Sequence, residues 1–160
     1  MKSLSVDSKD KITPIYERHV DMLYRVCFAY MKNSADTQDM VQDTFIKLMQ
    51  TGVSFENAEH EKAWLLRVAI NLCKNALKFW WQKRESIEDY QDLSMIHNVD
   101  EILKTVIDLP TQYKDVVYLY YYEGYNTPEI AAILKKPQST VRNHLHEARE
   151  LLRGVLENEE

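Results

Sequence analysis

A chain of 160 residues allows one ordinary domain or two small ones, and its net charge of −5 argues against a general nucleic-acid coat. No run approaches the ~20 apolar residues that a membrane span needs, so membrane insertion is not expected. The opening stretch MKSLSVDSKDKITPIYERH lacks the apolar core of a signal peptide, and the expected location is cytoplasmic.

Three glycines, four prolines and no alternating β-branched run predict an all-α fold. A first helix is expected over 13–31, where Ile15, Leu23, Val26, Cys27 and Tyr30 recur at helical spacing. Ser34 is the expected N-cap of a second helix, over 36–50. Its apolar stripe is Met40, Val41, Thr44, Phe45, Leu48 and Met49; Asp39, Gln42, Asp43 and Lys47 fall outside it. TGVSFENAEHE, at 51–61, reads as a loop. A third helix is expected over 62–83, with Leu66, Ala69, Leu72, Cys73, Ala76 and Trp80 inward and Arg67, Asn71, Lys74 and Lys78 on a second face. Cys27 and Cys73 sit in apolar surroundings and read as buried, reduced thiols.

An acidic linker is expected over 85–108, with room for a short helix from Asn98. It joins an N-terminal domain, 1–84, to a C-terminal one, 109–160. The latter opens with LPTQYKDVVYLYYYEG, where Pro110 suits a first helical position and Gly124 a stop. In TPEIAAILKK, Thr127 is the expected N-cap, with Pro128 and Glu129 behind it. After KKPQS a last helix starts near Pro137, with an apolar stripe of Val141, Leu145, Ala148 and Leu152. A short helix, a tight turn and a second helix with an apolar back make a helix-turn-helix.

Charge is unevenly spread. From Lys62 to Arg84 there are six basic residues and no acid; from Ser86 to Asp108 the balance is −5; from Lys135 to Arg153 it is +3. Two basic patches flanking an acidic stretch suit two contacts with one polyanion.

The second helix of a helix-turn-helix lies in the major groove with its N-terminal residues at base edges. Arg142 can bond guanine through two donors, and Asn143 can bond adenine likewise. His146 can donate or accept, and Glu147 can accept from cytosine N4. Lys135, Lys136 and the backbone N–H groups near Ser139 and Thr140 suit phosphates, and Arg149 lies on the same polar side. Three other readings share these residues: an amphipathic helix pair with a solvated face, a self-sufficient regulator dimerising through its N-terminal half, and a helical interaction protein with no DNA role. Catalysis has no support. His19, His60, His97, His144 and His146 share no ligand spacing, and no phosphate-binding glycine loop or nucleophile motif is present. No catalytic residue, metal or cofactor is therefore expected.

Three ordered segments resemble the extracytoplasmic-function sigma factors of the sigma-70 family. SADTQDMVQDTFIKLMQ is similar to their region 2.2, AWLLRVAINLCKNALKFWWQKR to regions 2.3 and 2.4, and the stretch from Leu109 to Arg153 to region 4. The resemblance covers nearly the whole chain. It implies two small helical domains joined by the linker, the second a helix-turn-helix (winged-helix-like) domain. It implies a promoter-specificity subunit of bacterial RNA polymerase with no catalysis of its own. Its partners would be polymerase core (the β′ clamp helices and the β flap), promoter DNA and, commonly in that family, a cognate anti-sigma factor. By the same resemblance Asp39, Met40, Gln42, Asp43 and Lys47 would meet the polymerase. Asn57, His60, Lys62, Arg67, Asn71, Lys74 and Lys78 would serve −10 recognition and melting. Lys135, Lys136, Ser139, Thr140, Arg142, Asn143, His146, Glu147 and Arg149 would serve −35 recognition. Two departures stand out: Glu147 occupies a position that is usually basic, and Lys135–Lys136 replace a glycine and an apolar residue.

Overall fold

The computed structural model describes residues 6–80 and 101–153, with side chains over 11–79 and 101–153. Trp81, Lys83, Arg84, the linker over 85–100 and the tail lie outside the described residues, as does the side chain of Trp80. None of the described residues is in a strand, and the chain divides into two compact units, Met1–His97 and Asn98–Glu160. No described helix is long and apolar enough to cross a membrane.

The first unit is three mutually packed helices: α1 (Val6–Met31), α2 (Ser34–Thr51) and α3 (Ala58–Trp80). α1 starts seven residues before the expected Thr13 and runs through Pro14. The break after α1 is made by Lys32 in the left-handed region (φ 67°) and by Asn33 in an extended conformation. Asn33, not Ser34, is the N-cap: its side-chain oxygen accepts from the Asp36 N–H at 2.8 Å. α2 ends at Gly52 (φ 64°), whose N–H reaches the Leu48 carbonyl at 3.2 Å. Of the stripes read from sequence, Leu23, Val26, Cys27 and Tyr30 of α1, Met40, Val41, Thr44, Phe45 and Leu48 of α2, and Leu66, Ala69 and Cys73 of α3 are buried, while Ile15, Met49, Leu72 and Ala76 are half-buried; Phe28 and Ile70 join the core. Cys27 and Cys73 are free thiols inside it. Burial, with Cys27 hydrogen-bonded beside it, pushes the Cys73 thiol well up.

Within the expected linker, which has room for a short helix from Asn98, Glu101–Asp108 forms α4, which buries Leu103, Val106 and Ile107. Its acidic residues obscured an apolar face only two turns long. The Lys114 ammonium is buried against its C-terminal end and donates to the Val106 and Ile107 carbonyls at 3.1 and 2.7 Å. α5 (Thr111–Val117) follows, with Pro110 just outside it as N-cap rather than as the first helical residue. It runs on as a π-helical turn, Tyr118–Tyr122, and Gly124 (φ 83°) ends the run. α6 (Thr127–Leu134) and α7 (Gln138–Leu151) complete the unit, packed on each other, with α7 also on α5. Val141, Leu145 and Ala148 form the buried back of α7.

Candidate nucleic-acid interface

The helix-turn-helix is α6, a short turn and α7. α6 opens with a reciprocal capping box one residue earlier than expected. The Asn126 side chain accepts from the Glu129 N–H at 2.9 Å, and Glu129 Oε1 accepts from the Asn126 N–H at 2.9 Å. Thr127 is therefore the first helical residue. α6 ends at Lys135, which adopts the left-handed conformation (φ 57°, ψ 49°) that glycine usually takes. That costs on the order of 1 kcal/mol for a residue with a Cβ. Lys136 helps to hold the turn: its ammonium lies 3.2 Å from Oδ2 of the fully buried Asp115 on α5. Lys136, expected to meet phosphate, is half-buried against this carboxylate, while Lys135 is exposed.

Pro137 (φ −62°, ψ 146°) sets the start of α7. Ser139 is exposed; Thr140 is half-buried and its N–H already donates to the Pro137 carbonyl at 3.0 Å. Arg142, Asn143 and His146 are all exposed. The next turn differs. The Tyr113 hydroxyl donates to Glu147 Oε1 at 2.9 Å, and the Tyr113 ring takes the edge of His144 at 5.7 Å. Arg149 is half-buried, donates through Nε to the Tyr121 hydroxyl at 2.7 Å, and lies over the Tyr120 and Tyr121 rings at 5.4 and 5.7 Å. Arg149, expected among the DNA contacts, thus braces α7 against the π-helical turn.

In the first unit, the segment before α3 is shorter and more ordered than the expected loop. Asn57 accepts the His60 N–H at 2.8 Å, which makes it the N-terminal cap of α3. The Glu56 N–H donates to His60 Nδ1 at 3.2 Å, and the His60 ring meets Phe55 edge-on at 5.3 Å. Phe55 in turn meets Trp64 at 5.8 Å. Asn57 and His60 remain exposed while they also fold the segment. Along α3, Asn71 and Lys78 are exposed, and Lys62, Arg67 and Lys74 are half-buried.

Glu61 had no role in the sequence reading, because it fell in the expected loop. It is buried in the first turn of α3 and tied to α1. The Arg18 guanidinium reaches its oxygens at 2.9, 3.0 and 3.3 Å, and His19 Nε2 lies 3.0 Å from Oε1. Burial opposes the charged carboxylate; the hydrogen bonds from His19 and Arg18 outweigh it and hold Glu61 below its ordinary pKa.

On α2, Asp39, Gln42, Asp43 and Lys47 form the exposed ridge that their spacing predicts. Met40 does not belong to it: its side chain is 6% exposed and packs in the core. Two exposed apolar residues were missed. Ile46 sits within the ridge, and Tyr16 lies 4.9 Å from the Phe45 ring beside it.

Two helical units, one a helix-turn-helix with arginine, asparagine and histidine open at the head of its second helix, define a helix-turn-helix DNA-binding protein. The family described as Sigma-70 region 2 matches residues 15–84, and Sigma-70, region 4 matches 100–152. The RNA polymerase sigma factor SigV of Bacillus subtilis is 31% identical over 147 residues, 89% of each chain. The ECF RNA polymerase sigma factor SigW of the same organism is 24% identical, over 98% of this chain and 94% of its own. In fold, the chain is similar to the sigma factor RpoE of Bartonella quintana, solved with the anti-sigma factor NepR (TM-score 0.67, 19% identity, 96% and 98% of the two chains). The chain belongs to the sigma-70 family of RNA polymerase sigma factors, in its extracytoplasmic-function branch. Its function is promoter-specific initiation of transcription by RNA polymerase, and it is not itself an enzyme.

Proposed function

We propose that the work is divided between the units. α7 enters the major groove of the −35 element through Arg142, Asn143 and His146, with Lys135 and the N-terminal turn at Ser139 on phosphate. The α3 face of Arg67, Asn71, Lys74 and Lys78, with Lys62, tracks and melts the −10 element. The α2 ridge of Asp39, Gln42, Asp43 and Lys47 docks on the β′ clamp helices, and the second unit meets the β flap. Work on core polymerase puts the chain in the cytoplasm. A cognate anti-sigma factor would cover the polymerase-binding faces; the bound NepR in the RpoE structure supports looking for one.

The observation that carries this reading is the exposure of Arg142, Asn143 and His146 directly after the helix-turn-helix turn, the part of the second helix that reaches base edges. Permanganate footprinting by holoenzyme tests the division. Lys78→Glu should slow opening at −10 more than closed binding at −35; unchanged opening would remove Lys78 from the melting face.

A further inference from the structure

We propose that Gln138, the first residue of α7, determines how strictly Arg142 discriminates its base. The proposal rests on the reading that α7 enters the major groove. Gln138 is exposed and sits four residues before Arg142, so the two share one face of the helix. The Arg142 Nη1 group donates to Gln138 Oε1 at 3.2 Å. The amide must present its oxygen here, because a guanidinium offers only donors.

Two consequences follow from that contact. One Nη1 hydrogen is occupied, while the edge formed by Nε and Nη2 stays open. That edge can make the two parallel bonds to guanine O6 and N7. The arginine stem, otherwise free to sample many rotamers, is held at the groove-facing start of the helix before DNA arrives. Less freedom is then lost on binding, and a base offering the wrong pattern meets a fork that does not swing away to another partner. The Gln138 NH2, turned outward by the same contact, remains a donor for a neighbouring phosphate or base acceptor. The partition of α7 strengthens the assignment. Glu147 and Arg149 are bound to tyrosines, so Gln138 is the side chain placed to restrain an exposed reader.

The test is run-off transcription by core polymerase with the full chain, on promoters randomised across the −35 element. Arg142→Ala first identifies the position whose preference depends on Arg142. Gln138→Ala should then weaken preference at that same position by about three- to tenfold, as expected for one freed side chain, and leave the other positions unchanged. It should add nothing in the Arg142→Ala background. Gln138→Glu, which keeps an acceptor facing the guanidinium, should retain the preference. Wild-type discrimination in Gln138→Ala, a uniform loss at every position, an equal effect without Arg142, or loss of preference in Gln138→Glu would each overturn the proposal. If Arg142→Ala itself changes no position, the major-groove reading fails, and this proposal with it.

Discussion

α7 presents Arg142, Asn143 and His146 to solvent, whereas Glu147 is bonded to Tyr113 and Arg149 to Tyr121, with the Arg149 guanidinium over the Tyr120 ring. The residue types are alike, and both sets lie on the polar side of one helical stripe. What separates them is the neighbour. α5 and the π-helical turn reach the side of α7 that carries His144, Glu147 and Arg149, so an arginine there becomes a brace, while Arg142, two turns earlier, stays exposed. Glu147 finds its partner in Tyr113 of the same unit. The first unit repeats the contrast. Glu61 is buried and bound to Arg18 and His19, while Asp39 and Asp43 on α2 stand exposed. Among these residues a charged side chain either holds a helix in place or stands exposed, and substitution should distinguish the two.

The largest effect should come from the buried back of α7. Leu145→Ala removes a buried side chain and should cost about 2–5 kcal/mol of stability, read as a fall in the denaturation midpoint. Loss of −35 contacts would follow from unfolding rather than from altered selectivity.

Next is Glu61. Replacing it with Gln should destabilise the chain by about 1–3 kcal/mol at neutral pH, at the lower end because Arg18 is half-exposed. The folded-state pKa of Glu61 is depressed below its ordinary value of 4.5. Its stabilisation is therefore present above that value and lost as pH falls through the folded pKa. Wild type and Glu61→Gln should converge in acid, as urea titrations across pH would show. A constant gap at all pH values would rule out ionic bracing.

Arg142→Ala and Arg149→Ala sharpen the contrast within α7. Arg142→Ala should change stability by less than about 0.5 kcal/mol yet cost roughly 1–3 kcal/mol in recognition of one base pair. Arg149→Ala should lower stability by about 1–2 kcal/mol through its lost hydrogen bond and ring contacts and preserve the ranking of −35 sequences. The reverse pattern would break the comparison. Smallest in stability is Asp43→Arg, expected within about 0.5 kcal/mol of wild type but weaker in co-purification with polymerase core. Unchanged core binding would take Asp43 out of the docking ridge.

Periodicity carried much of the fold. The stripes of α2 and α7 matched the buried residues closely, because an amphipathic helix writes its inward face into the spacing. The sequence allows α4 only as a short helix within the linker, because two turns among acidic residues leave a short period to read. The caps slipped by one residue at Asn33 and Asn126, where two adjacent polar residues compete for the same role. Arg142, Asn143, His146, Asp39 and Asp43 could be placed by sequence, since exposure follows from the stripe. Lys136 and Arg149 could not. Their partners lie on other helices, and sequence spacing is blind to a tyrosine 28 residues away or a buried aspartate 21 residues away. The folding role of Asn57 and His60 was hidden for a related reason: short polar side chains suit a base edge and a helix start equally well.

The division of α7 into reading and braced side chains is tested most directly by the −35 preferences of holoenzyme carrying Arg142→Ala, measured by run-off transcription on promoters altered one base at a time. Loss of discrimination at a single −35 position, with the other positions ranked as in wild type, is the predicted result; a ranking identical to wild type at every position would contradict it.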